Sequence, residues 1–447
     1  MGLILYNIFL WFYHTAIAVV SFWNDKAKLW IGGRKNIFEN IEQTLQNASG
    51  NYDAGIHQTI WMHCASLGEF EQGRPVIEKI RSEFPHHEIV ITFFSPSGYE
   101  IVKNYKGVDH VFYLPVDSAK NAARFVSLVK PSLVLWIKYE YWYYYLNELK
   151  KKNIPVILIS GVYRVNMPFF KWYGALWKKM LGSFSHFFVQ NPASKKMLEK
   201  IIPQQLITVS GDTRFDRVIS IAEKFTPLDG IKEFCGDASV IVAGSTWDDD
   251  EAEWTHFIKT HPEIKFIIAP HEVDKENLKE VKKEFPGSVL YGDWLGGIRK
   301  EQEASSEKRV ANGNEQYATH NPQSFNCLII DNIGMLSRLY KYATITYVGG
   351  GFRFDGLHNI LEAAVYGKPV IFGPEYEKNF EAEDLLECDG AITIENALQL
   401  EKILNELLKN NDEISRRGIE ARDYIYRKAG ATKIILNYIH ENRLLIN

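Results

Sequence analysis

Residues 59–70 read Thr-Ile-Trp-Met-His-Cys-Ala-Ser-Leu-Gly-Glu-Phe. Six mostly apolar residues, β-branched or aromatic in part, break on small residues that let a strand turn sharply into a helix. The same design recurs at 88–94, 110–115, 133–137, 155–160, 186–190 and 207–210, each run short and followed by a helical period or a turn cluster. It restarts at 239–245 (SVIVAGS) and continues through 265–269, 288–291, 327–331, 344–348 and 369–372. Strands alternating with helices predict a parallel sheet covered on both faces. The chain thus reads as two doubly wound α/β units joined near 211–237. Ligands in such sheets sit beyond the carboxyl ends of the strands, and two facing units place a substrate cleft between them.

The 447 residues suit two or three domains, and 46% hydrophobic against 24% charged residues describes a packed protein. The net charge of -4 points to no nucleic-acid partner. Its distribution is uneven: residues 1–217 hold 25 Lys+Arg against 17 Asp+Glu, whereas 218–447 hold 26 against 38. The cysteines Cys64, Cys235, Cys327 and Cys388 are far apart and form no CxxC pair, which argues against a disulfide framework and a structural zinc site. The stretch 3–23 carries no charged side chain and is long enough for a bilayer-spanning helix. Lys26, Lys28, Arg34 and Lys35 follow it, so the positive-inside rule keeps the bulk of the chain cytoplasmic. A cleaved signal peptide fits less well, because the basic residues come after the apolar core. A buried core helix is the other reading. The polar stretch 295–324 reads as a surface insertion, and the tail from 411 is helical by pattern.

Four groups of residues carry candidate chemistry. Glu69, at the carboxyl edge of the first strand, is placed to accept a proton from a sugar hydroxyl, but Ser66 and Glu69 also have capping-box spacing. Glu140 follows another strand among aromatic residues and close to Lys138; an ion pair or helix cap is the plainer alternative. Gly349-Gly350-Gly351 leads towards His358, Asn359 and Glu362 at a helix start, where glycines admit a ligand's backbone approach, a helix N-terminus favours phosphate and Glu362 can accept from ribose hydroxyls. Steric relief within the loop is the alternative. The fourth group is looser: Ser245 and Thr246, then Pro270-His271-Glu272, then Gly334-Met335-Leu336 all follow strands, and Arg214 at the junction suits an anionic ligand group. Residues 101–200 hold 16 Lys+Arg against 5 Asp+Glu, and Phe169-Phe170-Lys171-Trp172-Tyr173 with Leu176-Trp177-Lys178-Lys179 interleaves aromatic and basic side chains. That pattern suits an anionic membrane surface, with a solvated basic face as the alternative.

Taken in order, these motifs resemble the 3-deoxy-D-manno-octulosonic acid (Kdo) transferases of lipopolysaccharide synthesis. The resemblance spans nearly the whole chain: the uncharged N-terminus, A-S-x-G-E at 65–69, G-x-x-R-F-D at 211–216, A-x-S-T at 243–246, Pro-His-Glu at 270–272, D-x-x-G-x-L at 331–336, His358-Asn359 leading to L-E-A-A, G-K-P-V at 367–370 and F-G-P at 372–374. It implies a GT-B fold, with an anchor at 1–24, an acceptor-binding domain at 25–217, a CMP-sugar-binding domain at 218–425 and a C-terminal helix at 426–447 that returns to the first domain. It implies inverting transfer of Kdo from CMP-Kdo to the lipid A precursor lipid IVA, without a metal or other cofactor, on the cytoplasmic face of the inner membrane. By matching position, Glu69 is the general base and Glu140 the second acid. Ser245, Thr246, His271, Glu272, Gly334, Met335, Leu336, Gly350, Gly351, Asn359 and Glu362 line the donor site, with Arg214 against donor phosphate or carboxylate. Ser66, Gly68, Lys171, Trp172, Lys178 and Lys179 face the acceptor and membrane. Two positions depart from the family pattern: Lys138 stands where an acid is usual, and Leu357 where a glycine is usual. The insertion at 295–324 has no counterpart.

Overall fold

The computed structural model describes residues 2–48, 58–138, 140–298, 325–354 and 356–446. Tyr139, Asp355 and residues 299–324 of the expected 295–324 insertion lie outside the described residues, whereas 295–298 end a helix. The chain divides into two units, Met1–Arg217 with Ala429–Asn447, and Val218–Lys428.

The first unit is built on β1 (Thr59–Cys64), β2 (Glu88–Phe93), β3 (His110–Tyr113), β4 (Pro131–Ile137), β5 (Val156–Gly161), β6 (His186–Val189) and β7 (Ile207–Val209). They pair in parallel in the order β3-β2-β1-β4-β5-β6-β7. The continuous apolar runs follow from burial of both faces, since every residue of β1 is buried. Trp61 joins one core with Phe125, Trp136 and Tyr145. Ile60, Met62 and Cys64 face the other, which Ile435, Leu436 and Ile439 of the helix Ala431–Glu441 help to close. Asp216 fixes the start of that helix, accepting the Gly430 amide at 2.6 Å and the Thr432 amide at 2.7 Å.

The second unit repeats the plan with β8 (Val240–Thr246), β9 (Lys265–Pro270), β10 (Val289–Leu290), β11 (Cys327–Ile329), β12 (Ile345–Val348), β13 (Val370–Phe372) and β14 (Ala391–Thr393). Their order is β10-β11-β9-β8-β12-β13-β14, again all parallel. The expected strand at 288–291 shrinks to two residues because Tyr291 already enters a helix. The edge strand β14 escaped sequence reading, since three residues carry no period. The expected α/β architecture of two doubly wound parallel sheets is otherwise the one found.

The apolar N-terminus forms the helix Gly2–Val20, the one described helix long and apolar enough to cross a membrane. Only Tyr6 and Leu10 are buried, while Ile4, Leu5, Ile8, Phe9, Trp11 and Phe12 are exposed. Its inner face is fastened to the first unit. The Tyr6 hydroxyl donates to Asp117 at 2.6 Å and the Tyr144 hydroxyl donates to Asn7 at 2.9 Å. Asp117 also accepts the Tyr144 and Tyr145 amides, capping the helix Tyr143–Lys151. Burial lifts the Asp117 carboxyl to about 6 despite these donors.

Candidate active sites at the two sheet switch points

In each sheet the chain crosses from one side of its first strand to the other, between β1 and β4 and between β8 and β12. Crevices at carboxyl ends open at such points. The sequence candidates Glu69 and Glu140 follow β1 and β4; Ser245 with Thr246 and the glycine run follow β8 and β12. The topology therefore gathers each pair at its own switch point.

At the first, Glu69 is buried in the opening turn of the helix Leu67–Glu83. Its carboxylate accepts the Ala65 amide, and Ser66, at the cap position, makes no side-chain cap bond. The capping box offered by the S-x-x-E spacing is thus not formed. The acid instead reaches back to the strand end and holds the turn closed, with exposed Gly68 beside it. Glu140 is held from the sheet. His63, fully buried, contacts Glu140 Oε2 through Nε2 at 3.2 Å and Thr92 Oγ1 through Nδ1 at 2.9 Å. Thr92 Oγ1 accepts the Trp61 indole N–H at 2.8 Å. Thr92 Oγ1 thus sits between the Trp61 indole and the imidazole, whose other nitrogen faces the carboxylate. The Trp142 indole donates to the same Oε2 at 3.0 Å, and the Trp136 indole donates to the Glu140 carbonyl. Burial, followed by the nearby negative charges of Glu69 and Glu140, pushes the Cys64 thiol up, so both acids act on one strand end.

Sequence reading missed His63, and it missed Arg34. The Arg34 guanidinium donates to the Leu114, Phe94 and Trp30 carbonyls and lies 4.0 Å from the Trp30 ring centre. Burial draws its pKa down to about 10, with Glu140 among the opposing charges, so it stays a cation at neutral pH. Arg214 is not aimed at open space: its side chain pairs with Asp212 at 2.8 Å, and its amide donates to the same carboxylate. Lys171, Lys178 and Lys179 are spread over a turn and the short helix Ala175–Leu181, where Lys179 donates to the Tyr143 hydroxyl at 2.9 Å. Of the aromatic residues interleaved with them, Trp172 and Tyr173 are exposed, whereas Phe169 is core.

At the second switch point the organiser is Asp250, fully buried in the first turn of the helix Asp248–Thr260. It accepts the Gly350 amide at 2.8 Å, the Trp247 amide at 3.0 Å and the Tyr347 hydroxyl at 2.7 Å. One carboxylate thereby ties the β8 turn to the β12 turn. Burial raises its pKa. The glycines are needed by the protein itself: a Cβ on Gly350 would come within 2.6 Å of the Gly356 carbonyl, and one on Gly351 within 2.5 Å of the Gly373 nitrogen. This supports the steric reading of the run. Ser245 sits in a left-handed turn at φ 55°. Buried Thr246 donates to Glu251 at 2.8 Å and accepts the His271 amide at 2.9 Å. Asn359 donates to Glu362 at 3.0 Å, immediately before the four-residue helix Leu361–Ala364. Gly334 and Met335 lead into the helix Leu336–Leu339, and Glu272 is exposed with its carbonyl on Asn277.

The sequence missed an aromatic stack here. The Trp247 and His271 rings lie 4.5 Å apart and the His271 and His358 rings 4.4 Å apart, near parallel. The Trp247 indole donates to His358 Nε2 at 3.0 Å. Burial lowers the pKa of both histidines, that of His358 to about 4 with help from His271, so the stack is neutral at neutral pH. Arg353 covers the Trp247 ring at 4.3 Å and pairs with Asp248 at 3.0 Å.

Glu251 makes this edge sensitive to pH. Burial first, then Asp250 and Asp248, raise its carboxyl from 4.5 to about 7. Between those values the folded state keeps a proton that the unfolded chain releases, so stability falls as pH rises through the window. Glu251→Gln retains an acceptor for Thr246 and cannot ionise. The variant is expected to melt with the wild type near about pH 5 and above it near about pH 8. Parallel melting curves at both values would contradict the assignment.

Two doubly wound parallel sheets form a GT-B-like architecture. The structure of a UDP-GlcNAc 2-epimerase from Neisseria meningitidis bound to UDP-GlcNAc shares the fold, with a TM-score of 0.60 and 16% identity over 86% of this chain and 100% of that one. Residues 36–217 match the family model for 3-deoxy-D-manno-octulosonic-acid transferase (kdotransferase). The 3-deoxy-D-manno-octulosonic acid transferase of Haemophilus influenzae is 24% identical over 404 residues, covering 87% of this chain and 88% of that protein. A bifunctional glycosyltransferase/methyltransferase of Fusobacterium nucleatum is 30% identical over 382 residues, covering 81% of this chain. The chain spans about half the length of that relative, 54%. The chain is thus similar to Kdo transferases, a family of glycosyltransferases, in residues 36–217 by the family model and over most of its length by the Haemophilus influenzae relative.

Proposed function

We propose that the protein transfers Kdo from CMP-Kdo to a lipid A precursor such as lipid IVA, with inversion at the anomeric carbon. The observation that carries this reading is the placement of Glu69 and Glu140 directly after β1 and β4, at the switch point of the family-matched unit. Glu69 removes the proton of an acceptor hydroxyl. That oxygen forms the new bond to the anomeric carbon as the bond to the CMP phosphate oxygen breaks. Glu140, held by His63 and Trp142, orients a sugar hydroxyl. CMP leaves from the second unit, where Ser245, Thr246, Asn359, Glu362 and the Trp247–His271–His358 stack bind the nucleoside and Arg353 meets phosphate charge. Arg353 takes this role in preference to the helix after β8, whose first turn carries four carboxylates and repels an anion. The reaction takes place at the cytoplasmic face of the inner membrane, where the exposed face of Gly2–Val20 and Trp172 meet lipid.

The test is to incubate the full chain with lipid IVA and either CMP-Kdo or UDP-sugars, and to weigh the lipid product by mass spectrometry. Addition of Kdo from CMP-Kdo alone is expected. Transfer only from a UDP-sugar would replace the donor assignment.

A further inference from the structure

The first unit contains a cavity of about 520 Å³. Its walls are the rings of Tyr141, Phe169 and Trp177, the side chains of Met167 and Met180, and Arg164, the one charged residue lining it among the described residues. No part of the catalytic reading uses it. An apolar hollow of a few hundred Å³ with one polar group is the usual form of a small-molecule site, and paired methionines adapt to flexible apolar ligands.

Its surroundings say which ligand. On one side, Trp177 meets Tyr6 of the helix Gly2–Val20 edge to face at 6.4 Å, and the outer face of that helix is exposed and apolar. Along the chain from Phe169 come Trp172, 95% exposed, and Tyr173, with Lys171, Lys178 and Lys179 around them. Aromatic and basic side chains together suit an anionic lipid surface. On the other side, Tyr141 follows Glu140 directly, and its hydroxyl is 2.9 Å from that of Tyr163. The cavity therefore begins one residue from the carboxylate at the switch point, and its Trp177 wall packs against the apolar helix Gly2–Val20. A ligand spanning this distance has an apolar tail and an anionic, sugar-bearing head.

We propose that the cavity holds one acyl chain of the lipid acceptor, with Arg164 beside the acceptor's anionic head. This rests on the acceptor reading above. The cavity selects acceptors by chain length, because each methylene removed from water is worth roughly fourfold in affinity. A polar sugar acceptor gains nothing from it.

Met167 lines the cavity from a partly exposed position, so Met167→Trp fills the space with little disturbance of the core. With the full chain, Met167→Trp is expected to raise KM for the tetra-acylated acceptor at least about tenfold, with kcat unchanged. Transfer to the fully deacylated disaccharide phosphate is expected to stay at the wild-type rate. Met167→Ala, which enlarges the cavity, is expected to shift the preference towards longer chains. Equal KM values for wild type and Met167→Trp with the acylated acceptor would overturn the proposal, as would an equal loss with both acceptors. A direct arm is independent of turnover: the fluorescent fatty acid cis-parinaric acid is expected to bind the wild type and not Met167→Trp. Absence of Kdo transfer by the wild type to either acceptor would sink the function reading while this binding arm still decides the cavity. Equal binding of the probe by both proteins would sink the cavity alone.

Discussion

Glu69→Gln is expected to lower the rate of Kdo transfer by about 10²–10⁴-fold, the range lost when a general base is removed. CMP binding, measured by calorimetry, stays at the wild-type value. The substitution is a clean one because glutamine keeps an oxygen to accept the Ala65 amide, the contact that holds the strand-to-helix turn. What it cannot do is take a proton. Near-normal transfer by Glu69→Gln would remove this residue from the mechanism and leave Glu140 as the acid to test next.

The second large effect is expected in the other unit. Asp250→Ala removes the single acceptor shared by the Gly350 amide, the Trp247 amide and the Tyr347 hydroxyl. Each buried donor left unpaired costs about 1–3 kcal/mol, and for a shared acceptor these costs do not add in full. A loss of about 3–5 kcal/mol is expected, in the range seen when a buried charge network is broken. It is read as a lower melting temperature, together with at least a tenfold weaker affinity for CMP. A variant that melts like the wild type would show that the two turns keep their positions without Asp250.

The contrast between these residues explains what the sequence can disclose. β1 and β4 were legible because burial of both faces leaves mostly apolar runs, and Glu69 and Glu140 were legible because each follows such a run. Assigning the helical period after each strand was enough to place both acids at a sheet edge. The partners that hold them were not visible. His63 looks like one polar residue inside a strand, and its significance depends on Thr92 and Glu140, 29 and 77 positions away. Asp250 is hidden in a run of four acids that reads as an ordinary helix start. Trp247 and His358, 111 positions apart, become a stack only when β8 and β12 pair. Arg214 was legible by residue type and position, but its pairing with Asp212, two residues before it, was not.

The bond from Asp216 to the start of Ala431–Glu441 also has a consequence for how the chain is made. The first unit leaves off at Arg217 and is completed only by Ala429–Asn447, with the whole of the second unit translated in between. During synthesis the sheet that carries Glu69 therefore waits with its Ile60–Met62–Cys64 face partly uncovered, while Val218–Lys428 emerges and folds as one continuous segment. The unit that begins first is the last to close.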